Sequence, residues 1–312
     1  MSAPAVSIVL TTRNGMATLP ALLETLRRQQ LNQPFEIVAV DSASTDGTTE
    51  LLRKHATRLI EIPAAAFNHG LTRNLGIEHA TGELIVLLVQ DALPASDHWL
   101  AALVAPLLED RAVAGTYARQ RARDDASAVT RYYANRSATA SDVGRTQTLD
   151  EREFAALGPM ERLERCTFDN VCSCIRRSVW LEHPFRATTF AEDLEWGREV
   201  LLSGYRLVYT PRAVVIHSHD RSARYEFART CISHRRLFEL FALRTIPTLP
   251  LLARAIASST VRHLRCRRDA ADPRAAGTMA RALALAIAWP VGQYLGALSA
   301  VRGWKPFRSK EV

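Results

Sequence analysis

Four short apolar runs sit at residues 6–10 (VSIVL), 36–40 (EIVAV), 59–62 (LIEI) and 83–89 (ELIVLLV), with helix-length segments at 19–30, 48–55 and 72–80 between them. No other feature constrains the fold as strongly. Strand-length runs joined by helix-length crossovers give parallel strands, with helices covering both faces of the sheet. Leu19, Leu22, Leu23 and Leu26 recur at the spacing of one helix face. The last run is apolar at nearly every position, as a strand buried on both faces must be. The expected class is α/β: a Rossmann-like, mostly parallel mixed sheet flanked by helices.

The rhythm weakens after about residue 118. Residues 119–144 are rich in Arg, Asp, Ser and Ala and read as a mobile loop or an exposed helix. Residues 173–180 and 206–209 are later strand candidates, 192–203 an amphipathic helix stopped by Gly204, and 225–243 a further helix. Beyond residue 243 the composition shifts. Residues 244–312 hold twelve Lys and Arg against Asp269, Asp272 and Glu311, a local charge of +9, whereas the whole chain carries +8. This divides the chain into a domain at 1–243 and a basic, apolar helical extension at 244–312.

Within the extension, residues 282–301 carry no charge, but Pro290, Gly292, Gln293, Gly296 and Ser299 interrupt them. An interfacial or hairpin element is expected ahead of a spanning helix, with a buried helix packed on the domain as the alternative. Arginines beside apolar runs suit an anionic membrane surface. Nucleic acid is not expected as a partner, since no stacking aromatics are interleaved with them. MSAPAVSIVL enters a strand directly, and the five cysteines, Cys172 and Cys174 among them as C-x-C, have no zinc spacing and an odd count. Reduced thiols and a cytoplasmic chain, peripheral on the inner face of the cell membrane, are the expectation.

Ligands of open α/β sheets collect at the carboxyl ends of the strands. After the first run stand Thr11, Arg13 and Asn14; after the second Asp41, Ser42 and Asp46; past the third Asn68, His69 and Arg73; after the fourth Gln90 and Asp91. No G-x-G-x-x-G follows the first strand and no P-loop lysine motif occurs, which argues against a dinucleotide-dependent dehydrogenase and a P-loop kinase. Asp41 can accept bonds from a base N–H or from ribose hydroxyls. Turn and cap duty within VDSASTDGT is the other reading of Asp41 and Asp46. Arg73 suits a diphosphate, which arginine grips through two parallel bonds.

Taken together, VSIVLTTRNG, IVAVDSASTDGT, ELIVLLVQDALP and FAEDLEWGREVLLSGYRL resemble the family 2 inverting glycosyltransferases of GT-A fold, over roughly residues 6–240. The finer segments FNHGLTRNLG, VQDALP, TYARQ and HSHDRS resemble bacterial rhamnosyltransferases that use dTDP-L-rhamnose. In that family the fourth strand ends in Asp-x-Asp, which holds a divalent cation against the nucleotide diphosphate. Here the triplet is Val89-Gln90-Asp91, so one acid is missing. The resemblance implies Mg²⁺ or Mn²⁺ at Asp91 with His217 as a further ligand, exposed-loop duty for His217 and His219 being the other reading. It makes Asp193 the base that takes the acceptor hydroxyl proton, with Glu192 in support; plain helix-start charge is the alternative. Asp169, Asn170 and Trp196 are placed at the acceptor, with a core position as the alternative for Trp196. The same resemblance implies that Asn68, His69 and Gly70 form a loop over the nucleotide and that Arg119 and Gln120 lie near the sugar.

The expected activity is transfer of a sugar, L-rhamnose by resemblance, from a dTDP-sugar or UDP-sugar to a cell-surface polysaccharide or lipid-linked glycan acceptor. Two alternatives stay open. One is a UDP-hexose enzyme of the same fold. The other is a degenerate, non-catalytic binding or scaffold protein whose missing acid reflects lost activity.

Overall fold

The computed structural model describes residues 5–270, 278–304 and 307. Strands β1 (Val6–Thr12), β2 (Phe35–Asp41), β3 (Arg58–Glu61) and β4 (Leu84–Val89) run parallel. Helices α1 (Leu19–Arg27), α2 (Thr48–His55) and α3 (His69–Glu78) make the crossovers. The period-2 pattern decides which residues meet which layer. Ile8, Leu10, Val86 and Leu88 face one side, with Leu19, Leu22 and Leu26 of α1. Val9, Ile85 and Leu87 face the other, with Ile77 of α3. Gly76 lets α3 lie close to the sheet, since a Cβ there would meet Val9 Cγ1 at 2.4 Å.

The later elements close the sheet differently. They are β5 (Leu93–Pro94), α4 (Trp99–Glu109), β6 (Val113–Arg121), α5 (Ala128–Ala134), β7 (Arg145–Gln147), α6 (Glu151–Ala156), α7 (Pro159–Arg165), β8 (Cys172–Arg176), α8 (Arg177–Glu182), α9 (Glu192–Leu202) and β9 (Arg206–Ile216). Strand order is β3-β2-β1-β4-β8-β6-β9-β5, with β7 pairing β9. β8 runs antiparallel to both neighbours, β4 and β6. The span 173–180, expected as one strand, breaks at Arg177 into α8. The span 119–144, expected as a loop or exposed helix, begins as the end of β6 and contains α5.

The C-terminal part is helical: α10 (Ala223–Phe241), α11 (Leu249–Arg268) and α12 (Met279–Arg302). The hairpin form expected at 282–301 is corrected to one continuous helix lying along α10 and α11, as in the packed-helix alternative. Its glycines are contact points rather than breaks. A Cβ on Gly292 would meet Thr230 Cβ at 2.9 Å, and one on Gly296 would meet the Cys231 carbonyl at 2.4 Å. Close approach of α10 therefore requires both positions to lack a side chain. Among the described residues α12 is the one helix long and apolar enough to cross a membrane, and it is partly buried here.

Candidate active site

The polar residues converge on one edge of the sheet, where β1, β2 and β4 end and β8 begins. On the nucleotide side the first loop turns through Asn14, whose φ of 48° is left-handed. Gln90 clamps it: Oε1 accepts from the Arg13 N–H at 2.8 Å and Nε2 donates to the Arg13 carbonyl at 2.9 Å. Gly15 makes room, since a Cβ would lie 2.6 Å from Gln90 Oε1. Gln90, expected as a donor ligand, is thus the fastening of a main-chain loop. Asp41 is fully buried. Its Oδ1 accepts from Thr12 Oγ1 at 2.9 Å and Ser44 Oγ at 2.6 Å, and its Oδ2 from the Ser44 N–H at 2.8 Å. These bonds turn it inward, so Asp41 organises the loop after β2 instead of presenting a free carboxylate. Asn14 Oδ1 takes the Thr45 N–H at 2.9 Å, which ties the two loops together. Arg13 and Asn14 are exposed at the rim, Thr11 is half-buried, and the Ser42 hydroxyl is buried without a hydrogen-bond partner.

The loop expected over the nucleotide at Asn68–Gly70 is instead the start of a helix. Asn68 caps α3, Oδ1 accepting from the Gly70 and Leu71 N–H groups, while its Nδ2 donates to the Thr188 carbonyl at 2.9 Å. The helix thereby braces the segment that leads into α9. Arg73 is corrected in the same way. It is buried, its Nη1 2.9 Å from Glu192 Oε1 and bonded to the His69 carbonyl, so it supports the carboxylates and does not face an open diphosphate site. Trp196 is core: it is 2% exposed, stacks beside Phe168 and Phe185, and donates Nε1 to the His183 carbonyl. Asn170 is 1% exposed and bonds Glu192 and Ser173, which removes it from direct contact with an acceptor.

Asp91, His217 and His219 offer ligand atoms that all lie within 4.8 Å of one another. The antiparallel pairing of Leu93 with Ile216 brings the ends of β4 and β9 together. Asp91 Oδ2 is 3.2 Å from His219 Nε2, Asp91 Oδ1 is 3.7 Å from His217 Nε2, and the two Nε2 atoms are 3.1 Å apart. His217 Nδ1 lies 3.0 Å from Gln120 Oε1, and Gln120 Nε2 donates to Asp169 Oδ2 at 2.7 Å. A carboxylate can only accept, so the amide must turn its oxygen to His217. That puts the proton on Nδ1 and leaves the Nε2 lone pair toward Asp91 and His219. Burial pushes His217 down to about 4 and lowers His219 too, with Asp91 opposing in both cases. Both rings are therefore neutral near pH 7, the form that binds a cation. One carboxylate and two imidazoles fit a divalent cation, and the nitrogens favour Mn²⁺ over Mg²⁺.

Beyond the Gln120 bridge, Asn170, next to Asp169, bonds the carboxylates Glu192 and Asp193. Glu192 and Asp193 open α9 behind Ala191, whose φ of 59° is left-handed. Asn14, Ala43 and Ala191 are three of the four non-glycine residues with positive φ among the described residues. Backbone of this kind costs about 1–3 kcal/mol per residue and persists where surroundings enforce it. Burial raises Glu192, but Arg73 and His69 outweigh it and hold the carboxyl below its ordinary range. Asp193 goes the opposite way. Burial, then Glu192 and Asp169, push it well above the usual carboxylate range, against bonds from the Leu194 and Asn170 N–H groups. Burial also raises Asp169. A pair driven apart like this gives one fixed anion and one group able to take up a proton.

Three residues at this edge were missed as site members by sequence reasoning. His219 completes the cation site, and its signal was the H-x-H spacing, which puts two side chains on one side of an extended segment. Arg221 and Arg229 both stand close enough to oppose protonation of His217 and His219. Arg119, near the end of β6, has its Nε buried and without a hydrogen-bond partner.

Residues 7–179 match the model described as Glycosyl transferase family 2. The chain belongs to that family. It is 30% identical over 211 residues to O-antigen chain rhamnosyltransferase WbaN of Salmonella anatum, covering 65% of this chain and 62% of that protein. It is 28% identical over 229 residues to O-antigen chain rhamnosyltransferase RfbN of Salmonella typhimurium, covering 72% and 69%. The chain thus spans about two thirds of the length of these relatives. Among solved structures it is similar in fold to the mannosyltransferase PcManGT from Pyrobaculum calidifontis, in complex with GDP-Man and Mn2+. There the TM-score is 0.59 at 20% identity, over 98% of this chain and 89% of that one. The sheet with its flanking helices is a GT-A fold.

Proposed function

We propose that this chain is an inverting rhamnosyltransferase, moving L-rhamnose from dTDP-L-rhamnose to a cell-surface polysaccharide or lipid-linked glycan. The observation that carries the chemistry is the divergent pair at the start of α9: Glu192 held as an anion by Arg73, Asp193 raised by burial and by its acidic neighbours. Asp193 takes the acceptor hydroxyl proton as that oxygen attacks the anomeric carbon. Glu192 fixes the turn on which Asp193 stands. The loops at Arg13–Asn14 and after Asp41 receive the nucleoside, and Arg221 with Arg119 meets the donor's phosphates and sugar. Asp91, His217 and His219 hold a divalent cation, Mn²⁺ by donor type, which when bound offsets charge on the departing diphosphate. Asp169 orients the acceptor side through Gln120.

Support for the donor comes from the two O-antigen rhamnosyltransferase relatives. The division at 243/244, with α11 and α12 resting peripherally on the cytoplasmic face of an anionic membrane, belongs to the same proposal. The uneven charge supports it, as do the exposed Leu249, Leu251, Ile287 and Val301. The test is turnover across a donor panel with Mn²⁺. Hydrolysis or transfer of dTDP-rhamnose in preference to UDP-glucose, UDP-galactose and UDP-GlcNAc is expected. Turnover of a UDP-hexose with none of dTDP-rhamnose overturns the donor.

A further inference from the structure

Arg229 stands at a junction. Its guanidinium lies 5.4 Å over the Phe190 ring, beside the start of α9, and it opposes protonation of His69, His217 and His219. The same side chain lines a cavity of about 640 Å³ between α10, α11 and α12. That volume is in the range of small-molecule sites. Arg254 and Arg262 line it further from the strand ends. None of the three arginines has a carboxylate partner among the described residues; Arg262 bonds only the Tyr133 and Ser258 hydroxyls. The one carboxylate of the lining, Glu226, accepts from Trp289 Nε1 at 3.1 Å. Ile246, Leu251, Trp289 and Pro290 form an apolar strip of the remaining wall, beside Thr and Ser hydroxyls and Gln293, and Leu251 is 43% exposed.

Three guanidinium groups without a carboxylate partner line one hollow, and their geometry suits phosphate. A plain anion would have no use for the apolar wall, and a plain hydrocarbon none for the arginines. We propose that this cavity anchors the acceptor, taking the phosphate or diphosphate end of an amphiphile between Arg229, Arg254 and Arg262 and its apolar chain along Ile246, Leu251 and Trp289. Arg229 then sets the charged end of the acceptor beside the carboxylates of α9, and the chain leaves toward the exposed face of α11. The inference rests on the lipid-linked reading of the acceptor given above.

The probes are farnesyl diphosphate, inorganic pyrophosphate and farnesol, titrated calorimetrically into the full chain with EDTA present to keep cations from bridging a probe to Asp91. Farnesyl diphosphate is expected to bind at least about tenfold more tightly than either half-molecule, and R254Q to weaken it about tenfold, as loss of a bond to a charged group does. Arg254 is exposed and has no hydrogen-bond partner, so R254Q folds as the parent does. R254Q/R262Q, checked by thermal unfolding, should lose more while dTDP affinity stays constant. Equal affinity for pyrophosphate and farnesyl diphosphate, equal affinity for farnesol, or indifference of farnesyl diphosphate to both variants overturns the proposal. If dTDP-rhamnose is turned over but farnesyl diphosphate binding fails, only the anchoring cavity falls. If binding holds while dTDP-rhamnose is inert, only the donor falls.

Discussion

The start of α9 and the seam between α10 and α12 are held by opposite means. Around Asp193, three carboxylates share a pocket with Arg73, and the helix begins on a left-handed alanine. Charges crowded out of water favour one protonation pattern and cost stability. Along α10 and α12 the contact is made by absence: two glycines let one helix backbone approach the other. There the gain is packing, with no chemistry attached. The contrast separates residues that tune reactivity from residues that confer cohesion, and substitutions should divide along the same line.

The largest effect is expected at Asp193. Asp193→Asn should lower kcat about 10²–10⁴-fold, the usual contribution of a general base, with dTDP affinity retained by calorimetry. Its melting temperature should hold or rise, because a buried like charge is removed. In the parent enzyme Asp193 must lose its proton to act, and its carboxyl is raised. The rate should therefore fall as pH is lowered, with a midpoint above the ordinary carboxylate range. A kcat profile flat down to that range would remove Asp193 as the base. A smaller effect is expected at Gln120, which bridges His217 and Asp169. Gln120→Leu should weaken Mn²⁺ binding about 10–100-fold, as loss of a ligand-orienting partner does, measured by titration without nucleotide. Unchanged Mn²⁺ affinity would show that Gln120 does not set the His217 tautomer. The smallest belongs to the seam. Gly296→Ala adds an overpacking cost of about 1–3 kcal/mol, offset by about 1 kcal/mol of helix propensity. A net loss of about 1 kcal/mol should lower the melting temperature by roughly 2–4 °C. Turnover per folded molecule should not change; if it does, the two regions are coupled.

Legibility in the sequence follows the same division. The parallel half was readable because period-2 apolar runs and helix spacing are local, and β1 to β4 came within a few residues of their expected bounds. Asp91, His217, Glu192 and Asp193 were singled out through the family resemblance, because an acid at a strand or helix start and a histidine in a loop have ordinary uses that local sequence does not separate from chemistry. What Gln90, Asp41 and Arg73 do was not, because each side chain's direction is decided by a partner more than twenty residues away or by the closure of a loop. Gly292 and Gly296 looked like helix breakers because the surface they fit, on α10, lies some sixty residues earlier in the chain. Trp196 follows Asp193 by three residues, yet helix periodicity turns it into the core, and Asn170, in the turn before β8, is drawn inward by its bonds to Glu192 and Ser173.

β8 also has a consequence for how the reaction is assembled. In a wholly parallel sheet, each passage of the chain delivers residues to the working rim only on its way out. Because β8 runs backwards, Asp169 and Asn170 reach that rim as the chain enters, with the Val89 N–H bonded to the Val171 carbonyl. One reversed passage thus brings a second set of side chains against the first without another intervening helix. A change at Asp169 or Asn170 would therefore be felt at two places along the rim, at His217 through Gln120 and at Glu192 directly.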